Sequence, residues 1–163
     1  MLLELLKDKQ ITFERTYAAP IADVWAAWTR PELLRQWWGV EKTTIPECEV
    51  DLAVGGRIRI VMEAGEGMGK YAGTRWPLEG TFTEIDAPHR LVYAARSWTE
   101  GDERSSISHV NEVDIREEGG ATVVNLRIGI EEVGPGVKSK VAVLGMKSGY
   151  KAQFDNLEGL LAR

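Results

Sequence analysis

Two consecutive glycines, Gly55 and Gly56, constrain the fold of this chain more than any other feature of its sequence. They interrupt the stretch from Asp51 to Met62, whose flanks alternate between apolar and polar residues, and glycine reaches the positive φ angles that hairpin turns require. The stretch therefore predicts a strand, a tight turn and a second strand. A helical segment ending in Trp37-Trp38-Gly39 precedes it. We therefore expect a curved sheet with small helices near its start.

Alternation with period two predicts a first strand at residues 11–17. Six more strands, each bounded by turn residues, are expected at about residues 44–51, 56–63, 77–86, 89–98, 106–117 and 121–130. Two short helices are expected after the first strand, opened by Pro20 and Pro31, because proline is tolerated in the first turn of a helix. Short links between later strands predict a mostly antiparallel sheet. The glycine-rich stretch Gly65–Gly73 is expected to be a loop, serving either as a binding lid or as a plain hairpin tip.

A long helix is predicted at the end of the chain. Apolar residues recur there at steps of three and four, at Val141, Leu144, Met146, Tyr150, Phe154, Leu157 and Leu161. The only large surface that can cover this stripe is the concave face of the sheet. We therefore expect an α+β domain in which a curved antiparallel seven-stranded sheet wraps around the C-terminal helix. The 163 residues favour one domain, with residues 1–10 as a short N-terminal extension.

Composition argues against several classes of function. The net charge of −5 and the pI near 5.2 disfavour nucleic acid and anionic membrane as partners. The apolar run at the N-terminus is short and carries Glu4, so neither a signal peptide nor membrane insertion is expected, and the cytoplasm is the default location. One cysteine, Cys48, and two histidines are a poor supply of zinc ligands. We expect no metal and no cofactor.

A set of short motifs, each weak alone, occurs in an order that resembles a known family. They are Ala19-Pro20, Val24-Trp25, Trp28-Thr29, Pro31-Glu32, Trp37-Trp38-Gly39, Asp51, Gly55-Gly56, Gly80-Thr81-Phe82, Glu84-Ile85, Arg90-Leu91-Val92-Tyr93, Gly120, Thr122, Gly149-Tyr150 and Leu157. This chain resembles the family related to the C-terminal domain of the activators of heat-shock-chaperone ATPase, within the START-like, or SRPBCC, helix-grip superfamily. The resemblance covers about residues 11–162.

The resemblance implies a pocket between the sheet and the long helix, used in relatives for lipids, sterols, plant hormones or polyketide intermediates. It does not imply one activity, because a shared fold is not a shared function. The chain departs from the family at Gly149-Tyr150, where Gly-Trp is more usual. This difference alters the wall of a pocket without threatening the fold.

Three residues are candidates for proton transfer: His109, Tyr93 and Glu84. His109 shares its parity with Val113 and Ile115, which predicts that its ring points to the apolar face. A histidine there could orient a ligand or act as an acid or base near neutral pH, or simply be a core residue with a backbone partner. No nucleophile with a matching base is recognisable in the sequence.

Aromatic and methionine side chains supply the candidate wall of a ligand site, since such pockets are mostly apolar with a few placed polar groups. The candidates are Trp38, Met62, Trp76, Phe82, Tyr93, Trp98, His109, Met146, Tyr150 and Phe154. Several of them are expected to pack as core, whereas Trp76 and Trp98 are expected at the mouth.

Three functions follow as hypotheses. The first is binding of a small apolar or amphipathic ligand between the sheet and the terminal helix. The second is an enzyme of the cyclase, dehydratase or hydrolase type that uses the same cavity. The third is a chaperone-associated or stress-response interaction protein, which would need an exposed apolar patch or self-association, with a homodimer left open.

Overall fold

The computed structural model describes residues 10–163, so the proposed N-terminal extension lies outside the described residues except for Gln10. The strands are β1 Gln10–Tyr17, β2 Thr43–Val50, β3 Arg57–Ala64, β4 Arg75–Asp86, β5 Arg90–Thr99, β6 Asp102–Glu118 and β7 Ala121–Val133. The helices are α1 Ile21–Thr29, α2 Pro31–Trp37 and α3 Val137–Leu161, and a short 3₁₀ segment occupies Glu66–Tyr71. None of the helices in this part of the chain has the length and apolar character needed to cross a membrane.

All seven strands belong to one antiparallel sheet in the order β1-β7-β6-β5-β4-β3-β2. The sheet curls into a half-barrel around α3, which confirms the predicted α+β helix-grip fold. The glycine turn that joins β2 to β3 has the predicted form. Gly55 has a φ of 86°, and a Cβ built on Gly56 would lie 2.1 Å from the carbonyl oxygen of Asp51. A side chain at Gly56 would therefore force this turn apart.

The register of the strands divides the sheet into two unlike faces. On the concave face, Phe13 of β1 is paired with Leu126 of β7, Leu126 with Val113 of β6, and Val113 with Leu91 of β5. The convex face carries ion pairs across strands. Arg59 contacts Glu79 at 2.8 Å and Glu47 at 3.3 Å, and Arg90 contacts Glu84, Glu112 and Asp114. The concave face is thus the apolar side, and the convex face is the charged side.

The second half of α3 is fixed to the concave face by aromatic contacts and by ion pairs. The ring of Phe13 lies 5.6 Å from that of Tyr150 and 5.4 Å from that of Phe154. Beside them, Arg15 contacts Asp155 at 2.6 Å and Glu158 at 3.5 Å. Arg15 therefore sits on an apolar face because the terminal helix supplies its carboxylate partners.

The short helices close one end of the grip. The indole N–H of Trp37 donates to the carbonyl oxygen of Ala27 at 2.8 Å, and the rings of Trp28 and Trp37 are 4.8 Å apart. Asn156 of α3 donates its side-chain amide to the carbonyl oxygens of Trp37 and Gly39. The α1–α2 pair is therefore tied both to itself and to α3.

The predicted buried stripe of α3 is wrong in its first half. Val141 and Leu144 are 65% and 64% exposed, whereas Val143 is buried. The helix begins at Val137, and its buried side runs through Val143, Tyr150, Phe154 and Leu157. At 100° per residue, Val141 lies about 200° from Val143 around the helix and Leu144 about 100°. Both residues are consequently turned away from the sheet.

Truncation of two leucines on α3 tests this orientation. Leu157→Ala is expected to lower the free energy of unfolding by about 2–5 kcal/mol, because Leu157 is completely buried and its truncation leaves a cavity. Leu144→Ala, the matched control on the exposed side, is expected to change it by less than about 0.5 kcal/mol. Urea unfolding of both variants makes the measurement, and equal losses would contradict the orientation.

Candidate functional site

A group of polar side chains lies in the middle of the concave face. Ser97 of β5 and His109 and Asn111 of β6 share this face, and the register places His109 opposite Ala95 and Asn111 opposite Tyr93. Their neighbours on the same face of these two strands are apolar, namely Leu91, Ala95, Ile107, Val113 and Ile115. Polar side chains are thus placed inside an apolar surround. We call Ser97, His109 and Asn111 the polar cluster.

Hydrogen bonds within the polar cluster fix the tautomer of its histidine. The Asn111 amide nitrogen lies 2.8 Å from His109 Nδ1 and 3.5 Å from the carbonyl oxygen of Tyr93. An amide N–H only donates, so Nδ1 accepts and the imidazole proton resides on Nε2. Nε2 lies 2.9 Å from Ser97 Oγ and donates to it. The order of donation is therefore Asn111 to His109 to Ser97.

His109 is neutral at physiological pH. Only 2% of the residue is exposed, and this burial lowers the pKa of the imidazole to about 4. With its proton on Nε2, the ring has no free lone pair to accept the proton of the Ser97 hydroxyl. Ser97, His109 and Asn111 are linked by hydrogen bonds in the same order as the hydroxyl, imidazole and third residue of a catalytic triad. They nevertheless do not form a nucleophile with its base.

Two tyrosines face one another across the grip beside the polar cluster. Tyr93 extends from β5 and Tyr150 from α3, and burial raises the pKa of both phenols, for Tyr93 with the proximity of Tyr150 as a smaller cause. Within residues 10–163 no hydrogen bond reaches either phenolic oxygen. Both hydroxyls therefore stay protonated and free to donate.

One buried acceptor of the cluster also lacks a partner among the described residues. Asn111 is 0% exposed, and its side-chain oxygen Oδ1 accepts no hydrogen bond there. Buried polar atoms are nearly always paired in folded proteins, and an unpaired one costs roughly 1–3 kcal/mol. Two further buried atoms of the grip, the hydroxyl of Tyr17 on β1 and Oε1 of Gln153 on α3, also lack a partner among the described residues.

Aromatic and sulfur-containing side chains surround these polar groups. Phe82 packs on Tyr93 with ring centres 6.0 Å apart, and Trp38 packs on Tyr150 at 5.8 Å. Towards the end of the sheet where α3 begins, four large apolar side chains are only half-buried: Trp38, Met62, Trp76 and Met146. We call these four residues the apolar rim. Of the predicted wall residues, Phe82 thus pairs with Tyr93 and Trp38 with Tyr150, Met62 lies opposite Trp76 on the concave face, and Phe154 packs deeper, against Phe13 and Tyr150.

Two predicted site residues lie elsewhere. A β-bulge between Phe82 and Glu84 turns Glu84 to the convex face, where it contacts Arg90 at 3.1 Å. Trp98 is also on the convex face, one position out of step with Ser97, and the guanidinium of Arg96 lies 5.0 Å from its ring centre. Neither side chain is near His109.

Sequence reasoning did not single out Ser97 or Asn111. Asn111 could have been noticed, because it follows His109 by two positions on the same strand face. Ser97 has no comparable signal, since its contact with His109 depends on the register in which β5 pairs with β6.

The structure does not confirm an enclosed hydrophobic cavity. Two depressions, with volumes of about 470 and 740 Å³, lie outside the grip. The first is a shallow groove on the convex face, which we call the convex groove, and it is lined mainly by Arg57, Thr81, Ala94, Arg96, Val110 and Glu131. The second lies between residues 18–21 and 117–122. Among the described residues, no group of His, Cys, Asp and Glu is arranged to hold a metal ion.

Known proteins and one family match most of the length of this chain. The sequence profile of the family described as Activator of Hsp90 ATPase homolog 1-like protein (AHSA1) matches residues 18–162. A solved structure from Rhizobium leguminosarum is similar with a TM-score of 0.77 and 23% identity, covering 95% of each chain. One from Rhodobacter sphaeroides has a TM-score of 0.74 and 24% identity, covering 96% of this chain and 94% of that one. At this identity, the structures support the fold alone. A search of curated proteins gave no match.

The buried histidine predicts a specific pH dependence of stability. Its pKa in the folded protein, about 4, lies below the ordinary value of 6.5, so protonation favours the unfolded chain. Neutral His109 contributes to the free energy of unfolding in full above pH 6.5. This contribution, roughly 3 kcal/mol in all, is lost as the pH falls to about 4. Urea unfolding across this range is expected to show a steeper decline for the wild type than for His109→Gln. Parallel curves for the two proteins would contradict the assignment.

Proposed function

The chain belongs to the family of Activator of Hsp90 ATPase homolog 1-like proteins, and from this premise we propose that it binds a small apolar or amphipathic molecule between the sheet and α3. The observation that carries the proposal is Asn111 Oδ1, which is completely buried on the concave face and has no hydrogen-bond partner within residues 10–163. A bound molecule with a polar group would supply the missing partner and recover the free energy that an unpaired buried atom costs.

The apolar rim supplies the affinity in this proposal. Trp38, Met62, Trp76 and Met146 keep part of their apolar surface in contact with water. A ligand that covers this surface gains about 25 cal/mol for each Å² removed from water, before the cost of ordering the ligand and side chains. Methionine and tryptophan suit this role because they adapt to, or stack on, flat apolar molecules.

Entry to the grip requires the first half of α3 to move. Among the described side chains of this half, Ser139 Oγ accepts from the backbone N–H of Ser106 at 2.8 Å and donates to the carbonyl oxygen of Arg104 at 3.2 Å, Lys138 lies 3.9 Å from Asp102, and Val143 is buried. The second half buries Tyr150, Gln153, Phe154 and Leu157. Segments with few buried contacts open at lower free energy than the core. We therefore place the entrance at the start of α3.

The protonation states favour binding over proton transfer. His109 carries its proton on Nε2, and burial makes both phenols weak acids. None of these groups is a ready proton acceptor at neutral pH. The third candidate, Glu84, is on the convex face. The enzyme hypothesis is accordingly the weaker one.

Two tryptophans on opposite faces of the sheet test the proposal. The probe is N-phenyl-1-naphthylamine, an uncharged dye whose fluorescence rises in apolar surroundings. Trp76→Ala is expected to weaken its binding about tenfold, because the variant removes part of the apolar rim. Trp98→Ala, the control from the convex face, is expected to leave the dissociation constant within about twofold.

Circular dichroism and urea unfolding establish that both variants are folded. The proposal fails if the wild type does not bind the dye, or if the two variants weaken binding equally.

A further inference from the structure

We infer that the buried end of the bound molecule is uncharged and carries a hydroxyl or carboxamide group, which donates to Asn111 Oδ1 and accepts from a tyrosine hydroxyl. The inference rests on the proposed function and adds to it the chemical class of the ligand. Its basis is the arrangement of donors, acceptors and charges around Asn111.

The orientation of the Asn111 amide is fixed. Its nitrogen faces two acceptors, His109 Nδ1 at 2.8 Å and the carbonyl oxygen of Tyr93 at 3.5 Å. A rotation of the amide by 180° would set its oxygen against the carbonyl oxygen of Tyr93, which can only accept, so this carbonyl decides the orientation of the amide. Oδ1 is consequently held as an acceptor, and only a donor can satisfy it.

Hydroxyl donors share this face of the sheet, since Tyr93 lies directly opposite Asn111 in the pairing of β5 with β6 and Ser97 contacts His109. The Ser97 hydroxyl accepts the Nε2 proton of His109, so its own proton is free to donate outward. The hydroxyls of Tyr93 and Tyr150 are protonated and engage no partner within residues 10–163. A group that both donates and accepts, such as a hydroxyl or a carboxamide, matches this pairing. An ether or ketone would leave Asn111 Oδ1 unpaired.

The surroundings contain no counter-charge for an ionised ligand. On the concave face of β5 from Leu91 to Ser97, and of β6 from Ile107 to Ile115, every side chain is neutral. Arg15 is charged and shares the concave face on β1, but it is engaged by Asp155 at 2.6 Å and by Glu158. A carboxylate or ammonium group would lose its hydration here without gaining a partner of opposite charge.

A size-matched set of probes tests this inference on the wild-type protein. Naphthalene, 1-naphthol, 1-naphthoate and 1-naphthylmethylammonium share one ring system and differ in the polar group. Their dissociation constants are measured at pH 7 by displacement of N-phenyl-1-naphthylamine. We expect 1-naphthol to bind about tenfold more tightly than naphthalene, and both ions to bind more weakly than naphthalene.

Each outcome decides a separate question. If naphthalene and 1-naphthol bind equally, or if either ion binds as tightly as 1-naphthol, the inference is wrong and the proposed function stands. If the dye does not bind, or none of the four probes displaces it, the proposed function fails and the inference fails with it.

Two asparagine variants locate the preference on the structure. Asn111→Leu keeps the approximate volume of the side chain and removes the acceptor. The affinity of this variant for 1-naphthol is therefore expected to fall to within about twofold of its affinity for naphthalene. Asn125→Leu is the control, because Asn125 lies on the convex face of β7, opposite Glu14 and Asp114. It is expected to keep the preference for 1-naphthol. A preference retained by Asn111→Leu would overturn the assignment, and if this variant does not fold, the wild-type probe series alone decides.

Discussion

The contact between β1 and the second half of α3 is the interaction on which the rest of this structure depends. Phe13 packs against Tyr150 and Phe154, and Arg15 beside it contacts Asp155. Because β1 is an edge strand of the sheet, this contact closes the half-barrel around the helix. It also holds Tyr150 opposite Tyr93. The concave face is covered by α3, and burial there lowers the pKa of His109 and raises the pKa of both tyrosines.

Burial turns an ordinary set of side chains into a neutral recognition surface. His109 would be partly charged in water near neutral pH, whereas inside the grip its pKa falls to about 4. The same desolvation raises the pKa of both tyrosines, which are protonated at neutral pH in any case. What remains is a group of hydroxyl donors and amide acceptors without net charge. Such a surface is suited to orienting a ligand by hydrogen bonds, and poorly suited to moving a proton.

Much of the fold could be predicted from the sequence, because alternation, glycine turns and helical periodicity are local signals. The candidate site was harder to predict from the sequence. Phe82 and Glu84 share a parity, yet a bulge separates their faces, and a bulge cannot be recognised in the alternation. The contact of Ser97 with His109 depends on strand register. Val141 and Leu144 fit a helical stripe as well as Val143 does, and only the packing of α3 on the sheet shows which of the three residues is buried. Trp98 differs in parity from Tyr93, so its position on the convex face could have been predicted from the alternation of the strand.

Side-chain NMR during titration with N-phenyl-1-naphthylamine tests the central claim most directly, because it locates the ligand on one face of the sheet. The account predicts that the indole N–H signals of Trp38 and Trp76 and the side-chain amide of Asn111 shift with the dye, while the indole of Trp98 does not. Trp98 and the convex groove lie on the opposite face from Asn111. Shifts confined to Trp98 and to the methyl groups of Ala94 and Val110 would contradict the account and move the ligand to the convex groove.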